Sequence, residues 1–122
     1  MTLDGIKHVY VAGPITKGDQ FVNTRIAILA AARLAERGFF PFVPHLCSLW
    51  QMIEPREYHE WIDYDFAWIG RCDALVRLPG ESSGADAEVR LALNLGKPVF
   101  LGLTAFFGGT AVVTSDVLRR IV

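Results

Sequence analysis

Short apolar runs that are rich in β-branched and aromatic residues recur along the chain and predict strands. The second of these runs contains Pro41, which has no N–H to donate to a neighbouring strand. That run is therefore expected at the edge of a sheet. The predicted strands are His8–Ala12, 39–43, 74–78 and 98–103.

Apolar residues at helical spacing fill the segments between these runs. They predict helices over about 21–37 and 56–69, and a third helix in the segment around Glu88. On the first helix, five apolar residues share one side, which predicts the face that packs on the core. They are Val22, Ile26, Leu29, Ala30 and Leu34.

Strands and helices alternate, which is typical of an α/β fold. We expect a three-layer, doubly wound parallel sheet of four or five strands, Rossmann-like or flavodoxin-like, with right-handed crossovers. The 122 residues suit one domain, 1–122. The segment 44–55 and the apolar segment from Thr104 onward predict loops, and Ser115 or Asp116 predicts the start of a short terminal helix. In such folds, ligands bind at the carboxyl ends of the strands.

Glu88 lies on the apolar side of its predicted helix. Its side chain points about 160° from the centre of the polar arc and is grouped with Ala85 and Val89. An inward carboxylate is costly unless it is paired or functional. The structural alternative is an ion pair with Arg77 or Arg90.

Asp65 is a second carboxylate that falls inside an apolar helical face, whereas Asp63 falls outside it. Two inward carboxylates on two helices suggest a pair that acts on a substrate in the crevice. The structural alternative for Asp65 is a hydrogen bond to an indole or to the backbone. Burial among aromatic residues is expected to raise the pKa of Asp65, and the helix dipole is expected to keep Glu88 ionised.

Composition narrows the class of protein. The chain is 52% hydrophobic and 20% charged, with a formal net charge of -1, so it lacks the basic surface that binds a nucleic-acid polymer. It shows neither a signal peptide nor a long apolar span, which favours the cytoplasm and no membrane partner. Cys47 and Cys72 lack the spacing of metal ligands and are expected to be buried as small apolar residues. Neither a metal nor a cofactor is predicted.

Three motifs together resemble the nucleoside 2-deoxyribosyltransferase superfamily, which includes the deoxynucleoside 5'-monophosphate N-glycosidases. They are the segment "VYVAGPITKGD", the aspartate eight residues before Asp73, and "CDALVRLPGESSGADAEVRLALNLGKPVF". The resemblance covers about 9–100, and each motif alone is weak.

The resemblance implies three catalytic residues. Glu88 matches the nucleophile that attacks the anomeric carbon, Asp65 matches the aspartate that handles the nucleobase, and Tyr10 matches the tyrosine that holds the nucleophile. This agrees with the chemistry, because cleaving an N-glycosidic bond uses one ionised carboxylate and one protonated acid. Tyr10 is equally well explained as an aromatic residue in a buried strand.

The loop after the first strand is predicted to bind substrate through Gly13, Pro14 and Lys17. The monophosphate glycosidases have a serine and an arginine where this chain has Pro14 and Thr16. A free nucleoside and a phosphate held by Lys17 and the Gly13 backbone therefore both stay open.

The loop "GESSG" precedes the helix of Glu88. By resemblance, Ser82 and Gly84 lie around the substrate's 5'-phosphate, and such a loop can present hydroxyl and N–H groups. Ser83, with Asp86, is expected to cap the helix.

His45 is a candidate to stack on or hydrogen-bond a base, although a solvent-facing loop histidine is the commoner case. Trp50 either closes the base pocket or packs in the core. Phe106 and Phe107 suggest a subunit interface or a lid. The superfamily builds its sites at dimer contacts, so we expect a homodimer or a larger homo-oligomer.

The main hypothesis is thus an enzyme that cleaves or transfers at the N-glycosidic bond of a nucleoside or its 5'-monophosphate, through a glycosyl–Glu88 intermediate. One alternative is a non-catalytic nucleotide-sensing domain. Another is a phosphoribohydrolase of the lysine-decarboxylase-like type. The segment "LPGESSGADAE" of this chain resembles the loop of that family only loosely.

Overall fold

The computed structural model describes residues 3–112, which form one parallel four-stranded sheet in the order β2-β1-β3-β4. The α/β fold class is confirmed, and β2 lies at the edge, as Pro41 predicts. The terminal helix predicted at Ser115 or Asp116 lies outside the described residues. The strands are β1 (His8–Ala12), β2 (Phe40–Phe42), β3 (Ala74–Arg77) and β4 (Val99–Leu101).

Helices cover both faces of the sheet. None of those in the described part of the chain is long and apolar enough to cross a bilayer. A 3₁₀ turn (Pro44–Leu46) follows β2 directly. The helices are α1 (Gln20–Glu36), α2 (Cys47–Ile53), α3 (Tyr58–Arg71), α4 (Ser83–Asn94) and α5 (Leu103–Phe107).

Alternate residues of β1 face opposite layers, because successive side chains of a strand point to opposite sides of the sheet. Val9 and Val11 pack with α1 and α5. Tyr10 and Ala12 pack with α3 and α4 instead. This alternation directs Tyr10 to the same side of the sheet as Glu88.

Two predicted loops are wrong. The segment 44–55 contains the 3₁₀ turn and α2, and none of the α2 side chains is fully buried, so a core-facing pattern that would have revealed the helix is missing. The segment after Leu103 begins with α5, which buries Phe106 completely. Phe106 packs edge-on against Phe100, with ring centroids 5.0 Å apart, and therefore belongs to the core rather than to an interface or lid.

The predicted apolar side of α1 is only partly correct. Ala30 and Leu34 are buried, but the third buried residue is Ala27. Val22, Ile26 and Leu29 are between 44% and 48% exposed. The core face is therefore rotated away from these three residues, and α1 keeps an apolar strip at the surface.

Candidate active site

Tyr10 and Glu88 meet in the layer between the sheet and α4. The Tyr10 side chain is fully buried, and its hydroxyl donates a hydrogen bond to Glu88 Oε2. Glu88 is 8% exposed, so its predicted inward orientation is confirmed. Neither predicted arginine is its direct partner, since the hydrogen bond comes from the tyrosine.

Asp65 is half-buried on α3, whereas Asp63 is exposed, as predicted. Its Oδ1 atom is shielded from solvent and has no hydrogen-bond partner among the described residues. Burial raises the pKa of Asp65 to about 6. Its negative charge acts on Glu88, on Tyr10 and on Cys47 of α2. Asp65 is therefore close enough to these groups for their charges to interact, and one of its oxygens is free to accept a hydrogen bond.

Glu88 is harder to ionise than the helix dipole suggests. Burial raises its pKa to about 7, although the hydrogen bond from Tyr10 lowers it; the charge of Asp65 raises it further, and that of Arg77 lowers it. The expectation that the helix dipole keeps Glu88 easy to ionise is thus wrong for the free protein, because its pKa is raised. Loss of hydration in this layer outweighs the dipole of one helix end.

Arg77 and Asp86 form a half-buried ion pair beside this site. The guanidinium is 11% exposed, and its Nη2 atom lies 2.9 Å from Asp86 Oδ1. It also donates to the carbonyl oxygens of Leu78 and Gly80. The ion pair directs Asp86 toward the end of β3.

The loop after β1 is held in place by its neighbours. His45 is fully buried, and its Nε2 atom lies 2.9 Å from the Pro14 carbonyl oxygen. The Asn23 amide donates to the carbonyl oxygens of residues 15 and 17 at 3.1 and 2.8 Å. Gly80 has a φ of +119°, and a Cβ there would lie 2.7 Å from Pro14 Cγ. The loops after β1, β2 and β3 therefore pack on one another.

His45 does not face solvent. Burial lowers its pKa, which favours the neutral ring, and Nε2 then donates to the Pro14 carbonyl. Its Nδ1 atom has no partner within residues 3–112. In this state His45 supports the loop of Pro14 rather than offering a flat face to a base.

The remaining predicted binding residues lie at the same edge of the sheet. Gly13 packs against Leu78, to which a Cβ would approach within 3.1 Å. The exposed Lys17 Nζ lies 3.0 Å from Glu81 Oε1, so the loops after β1 and β3 also meet through this ion pair. Gly84 lies in the first turn of α4.

The helix cap of α4 differs from the prediction. Ser82, not Ser83, is the N-cap, and its Oγ accepts a hydrogen bond from the Ala85 N–H at 3.1 Å. Ser83 is exposed as the first helical residue. Asp86, the expected partner of Ser83, is bound to Arg77 instead.

An aromatic cluster extends from Tyr10 to the surface. Phe42 stacks on Tyr10 with ring centroids 5.5 Å apart, and Trp68 stacks on Phe42 at 4.9 Å. Trp50 is 38% exposed and packs edge-on against Trp61 at 5.2 Å. Trp50 thus joins a partly exposed cluster near Asp65 rather than the buried core.

Sequence reasoning missed Arg77 with Asp86, Asn23 and Phe42 as structural parts of this site. Asn23 carried a detectable signal, because it is a polar residue beside the apolar side of α1. For Arg77 the signal was its position as the last residue of a buried strand. Of the two cysteines that were predicted to be buried, Cys72 is buried and Cys47 is half-buried.

A family model described as a domain of unknown function, DUF4406, matches residues 7–101. The chain belongs to this family. No curated protein matches the DUF4406 chain in sequence.

Solved structures of other proteins share the fold of this DUF4406 protein. The 2-desoxiribosyltransferase of Leishmania mexicana is 21% identical, with a TM-score of 0.59 over 77% of this chain and 62% of its own. The 2-deoxyribosyltransferase of Bacillus psychrosaccharolyticus is 17% identical, with a TM-score of 0.56 over 90% of this chain and 95% of its own. A conserved protein of Enterococcus faecalis V583 is 14% identical, with a TM-score of 0.63 over 96% and 87%. The DUF4406 chain therefore has the 2-deoxyribosyltransferase fold and spans less than two thirds of the Leishmania protein.

Proposed function

We propose that this protein cleaves the N-glycosidic bond of a nucleoside, a deoxynucleoside or its 5'-monophosphate, and passes the sugar to water or to a second base. The observation that carries the proposal is the buried Glu88 carboxyl group, bonded by the Tyr10 hydroxyl and close enough to Asp65 for their charges to interact. The helix that carries Glu88 begins beyond the carboxyl end of β3, in a fold shared with two 2-deoxyribosyltransferases.

In the proposed reaction, a Glu88 oxygen attacks the anomeric carbon of the sugar. The bond from that carbon to the base nitrogen breaks, and its electron pair leaves with the base. Asp65 gives the departing base its proton, for which its half-buried position suits it. Water or an acceptor base then attacks the same carbon, releases Glu88 and returns a proton to Asp65.

The proton distribution of the free protein has to change for this chemistry. Burial raises the pKa of Glu88 to about 7 and that of Asp65 to about 6, so both carboxyl groups hold a proton more readily than they would in water. The reaction needs the proton on Asp65 and not on Glu88, and the binding energy of a nucleoside is available to favour that arrangement. A base that accepts a hydrogen bond from protonated Asp65 favours this arrangement, and the Tyr10 hydroxyl stabilises the Glu88 anion.

The three packed loops supply the proposed binding surface for the sugar. In the proposal, Gly13, Pro14 and Lys17 of the first loop and Ser82 and Gly84 at the start of α4 contact the substrate; the support is that these loops pack on one another. His45 contributes by holding the Pro14 carbonyl. We leave the 5' group as a hydroxyl or a phosphate, because Lys17 already shares an exposed ion pair with Glu81.

We also propose that the protein acts as a homodimer or larger homo-oligomer. Its support is the apolar strip of Val22, Ile26 and Leu29 on α1, which continues into a groove beside Leu78 and Leu103. Exposed apolar strips of this kind mark protein contacts.

The test is chromatography of purified protein with nucleosides and 5'-monophosphates, in ribo and deoxy forms, with and without an acceptor base. We expect release of free base, and a new nucleoside only with acceptor if the protein is a transferase. Glu88→Gln should abolish release, and Asp65→Asn should slow it by roughly 10²–10⁴-fold, as for loss of a general acid.

Two exposed carboxylates provide matched controls. Glu36→Gln on α1 and Asp63→Asn on α3 make the same chemical changes at exposed positions and should leave the rate unchanged. If every substrate stays intact while nucleotides still raise the melting temperature, catalysis is refuted and a nucleotide-binding domain is the correct description.

A further inference from the structure

Arg77 is an unusually buried arginine at the end of β3. A buried guanidinium is costly unless its N–H groups find acceptors. Here it donates to the Leu78 carbonyl, to the Gly80 carbonyl at 3.0 Å and to Asp86 Oδ1 at 2.9 Å. These three acceptors belong to the end of β3, to the turn after it and to the first turn of α4.

The same contacts connect Arg77 to the loops after β1, β2 and β3. The turn at Gly80 packs on Pro14, and the Pro14 carbonyl is in turn held by His45. Asp86 lies two residues before Glu88 on α4. Fixing Gly80 and Asp86 together therefore fixes the segment that carries Ser82 and leads into the helix of Glu88.

We propose that Arg77 is a positioning residue for Glu88: it fixes the turn after β3 to the first turn of α4, and it places a permanent positive charge beside the Glu88 carboxyl group. The inference rests on the proposed function, because it assigns Arg77 a part in preparing the nucleophile. Arg77 itself does not contact the reacting atoms in this role.

The charged and titratable groups that act on Glu88 come from three elements. Burial has the largest effect on the pKa of Glu88 and raises it; the hydrogen bond from Tyr10 on β1 lowers it, Asp65 on α3 raises it, and Arg77 on β3 lowers it. Removing the Arg77 charge leaves Tyr10 as the one group among these that favours the ionised form. Glu88 should then titrate at higher pH.

The variants separate charge from geometry. Arg77→Gln removes both the charge and the forked donor, whereas Arg77→Lys keeps the charge and loses the fork. In Arg77→Gln we expect the acid limb of the kcat/KM profile to move to higher pH, with a loss about threefold larger at pH 6 than at pH 8. In Arg77→Lys we expect an overall loss with the limb unmoved. Arg90→Gln, at an exposed position on α4, is the matched control and should change neither.

A second measurement reports on Glu88 without turnover. The carboxyl carbon of Glu88, assigned by its absence in Glu88→Gln, is titrated by NMR in protein labelled at the glutamate carboxyl carbons. We expect its midpoint to rise in Arg77→Gln and to stay at the wild-type value in Arg90→Gln. If Arg77→Gln does not fold, Asp86→Asn replaces it, and the midpoint should fall because the positive charge of Arg77 is no longer neutralised.

The two measurements make the possible failures distinguishable. If wild-type protein releases no base, the proposed function fails, while a raised Glu88 midpoint in Arg77→Gln still supports the effect of Arg77 on Glu88. If base is released but neither the midpoint nor the acid limb moves in folded Arg77→Gln, Arg77 only stabilises the fold and the inference is overturned.

Discussion

At the scale of single residues, the two inward carboxylates differ in what they can still bind. Glu88 already receives a hydrogen bond from Tyr10, whereas Oδ1 of Asp65 has no partner in the described part of the chain. A buried acceptor without a donor is costly, so a ligand that donates to Asp65, or a proton on it, relieves that cost. This asymmetry supports the proposed roles, in which Glu88 is a fixed nucleophile and Asp65 is an acid that exchanges its proton with a substrate.

Burial of Glu88 should make folding stability depend on pH. Its pKa rises from an ordinary value of 4.5 to about 7 in the folded protein. Between these values the native state holds a proton that the unfolded chain has released, so stability falls as the pH rises. The difference corresponds to roughly 3 kcal/mol, lost by about pH 8. Asp65, raised from 3.8 to about 6, should act in the same direction at lower pH.

Denaturant unfolding from pH 4.5 to 8 measures this effect. Glu88→Gln has no charge to desolvate, so its stability should increase relative to wild type by roughly 3 kcal/mol across that range. Glu36→Gln, which changes an exposed glutamate, should run parallel to wild type. If the curve for Glu88→Gln also ran parallel to wild type, the pKa of Glu88 would not be raised in the folded protein.

At the scale of elements, the sequence predicted the strands and the helices that have a core-facing stripe. Runs of β-branched and aromatic residues identified all four strands, and in β1, β3 and β4 the buried positions are uniformly apolar. The helix α2 was missed because it buries no residue fully. The helix α5 was missed because its short apolar sequence is equally compatible with a loop. Periodicity detects a helix only where one side packs and the other does not.

The start of α4 offers a test of how one element is fixed. Ser82→Ala removes the acceptor of the Ala85 N–H and should destabilise the protein by about 1 kcal/mol. Ser83→Ala is the matched control, since Ser83 is an exposed first helical residue without that bond, and should change stability by less than about 0.5 kcal/mol. Denaturant unfolding compares them. A larger loss for Ser83→Ala would move the cap back to the position predicted from sequence.

At the scale of the whole molecule, the candidate site was predictable where it depends on helix angle and not where it depends on tertiary contacts. The positions of Glu88 and Asp65 around their helices follow from 3.6 residues per turn. The ion pair between Arg77 and Asp86 depends on how the turn after β3 folds. The pKa of Glu88 depends on how far water is excluded from the layer between the sheet and α4. Neither the contact between Arg77 and Asp86 nor the pKa of Glu88 can be predicted from the residue pattern of a single helix.

The surface of the whole molecule should govern its assembly. Val22, Ile26 and Leu29 stay exposed on α1 although they are as apolar as the core residues beside them. We expect light scattering after gel filtration to give at least twice the chain mass of 13.5 kDa. Ile26→Lys places a charge in the strip and should reduce the mass to that of one chain, because an unpaired charge is not tolerated in an apolar contact.

Ile53→Lys is the matched control for this experiment. Ile53 is 85% exposed at the end of α2, outside the α1 strip, so the same substitution there should leave the assembly intact. Dissociation by Ile53→Lys alone would place the interface on α2 and contradict the assignment to α1. A wild-type mass of 13.5 kDa would refute the oligomer itself, and the site would then have to work with the residues of one chain.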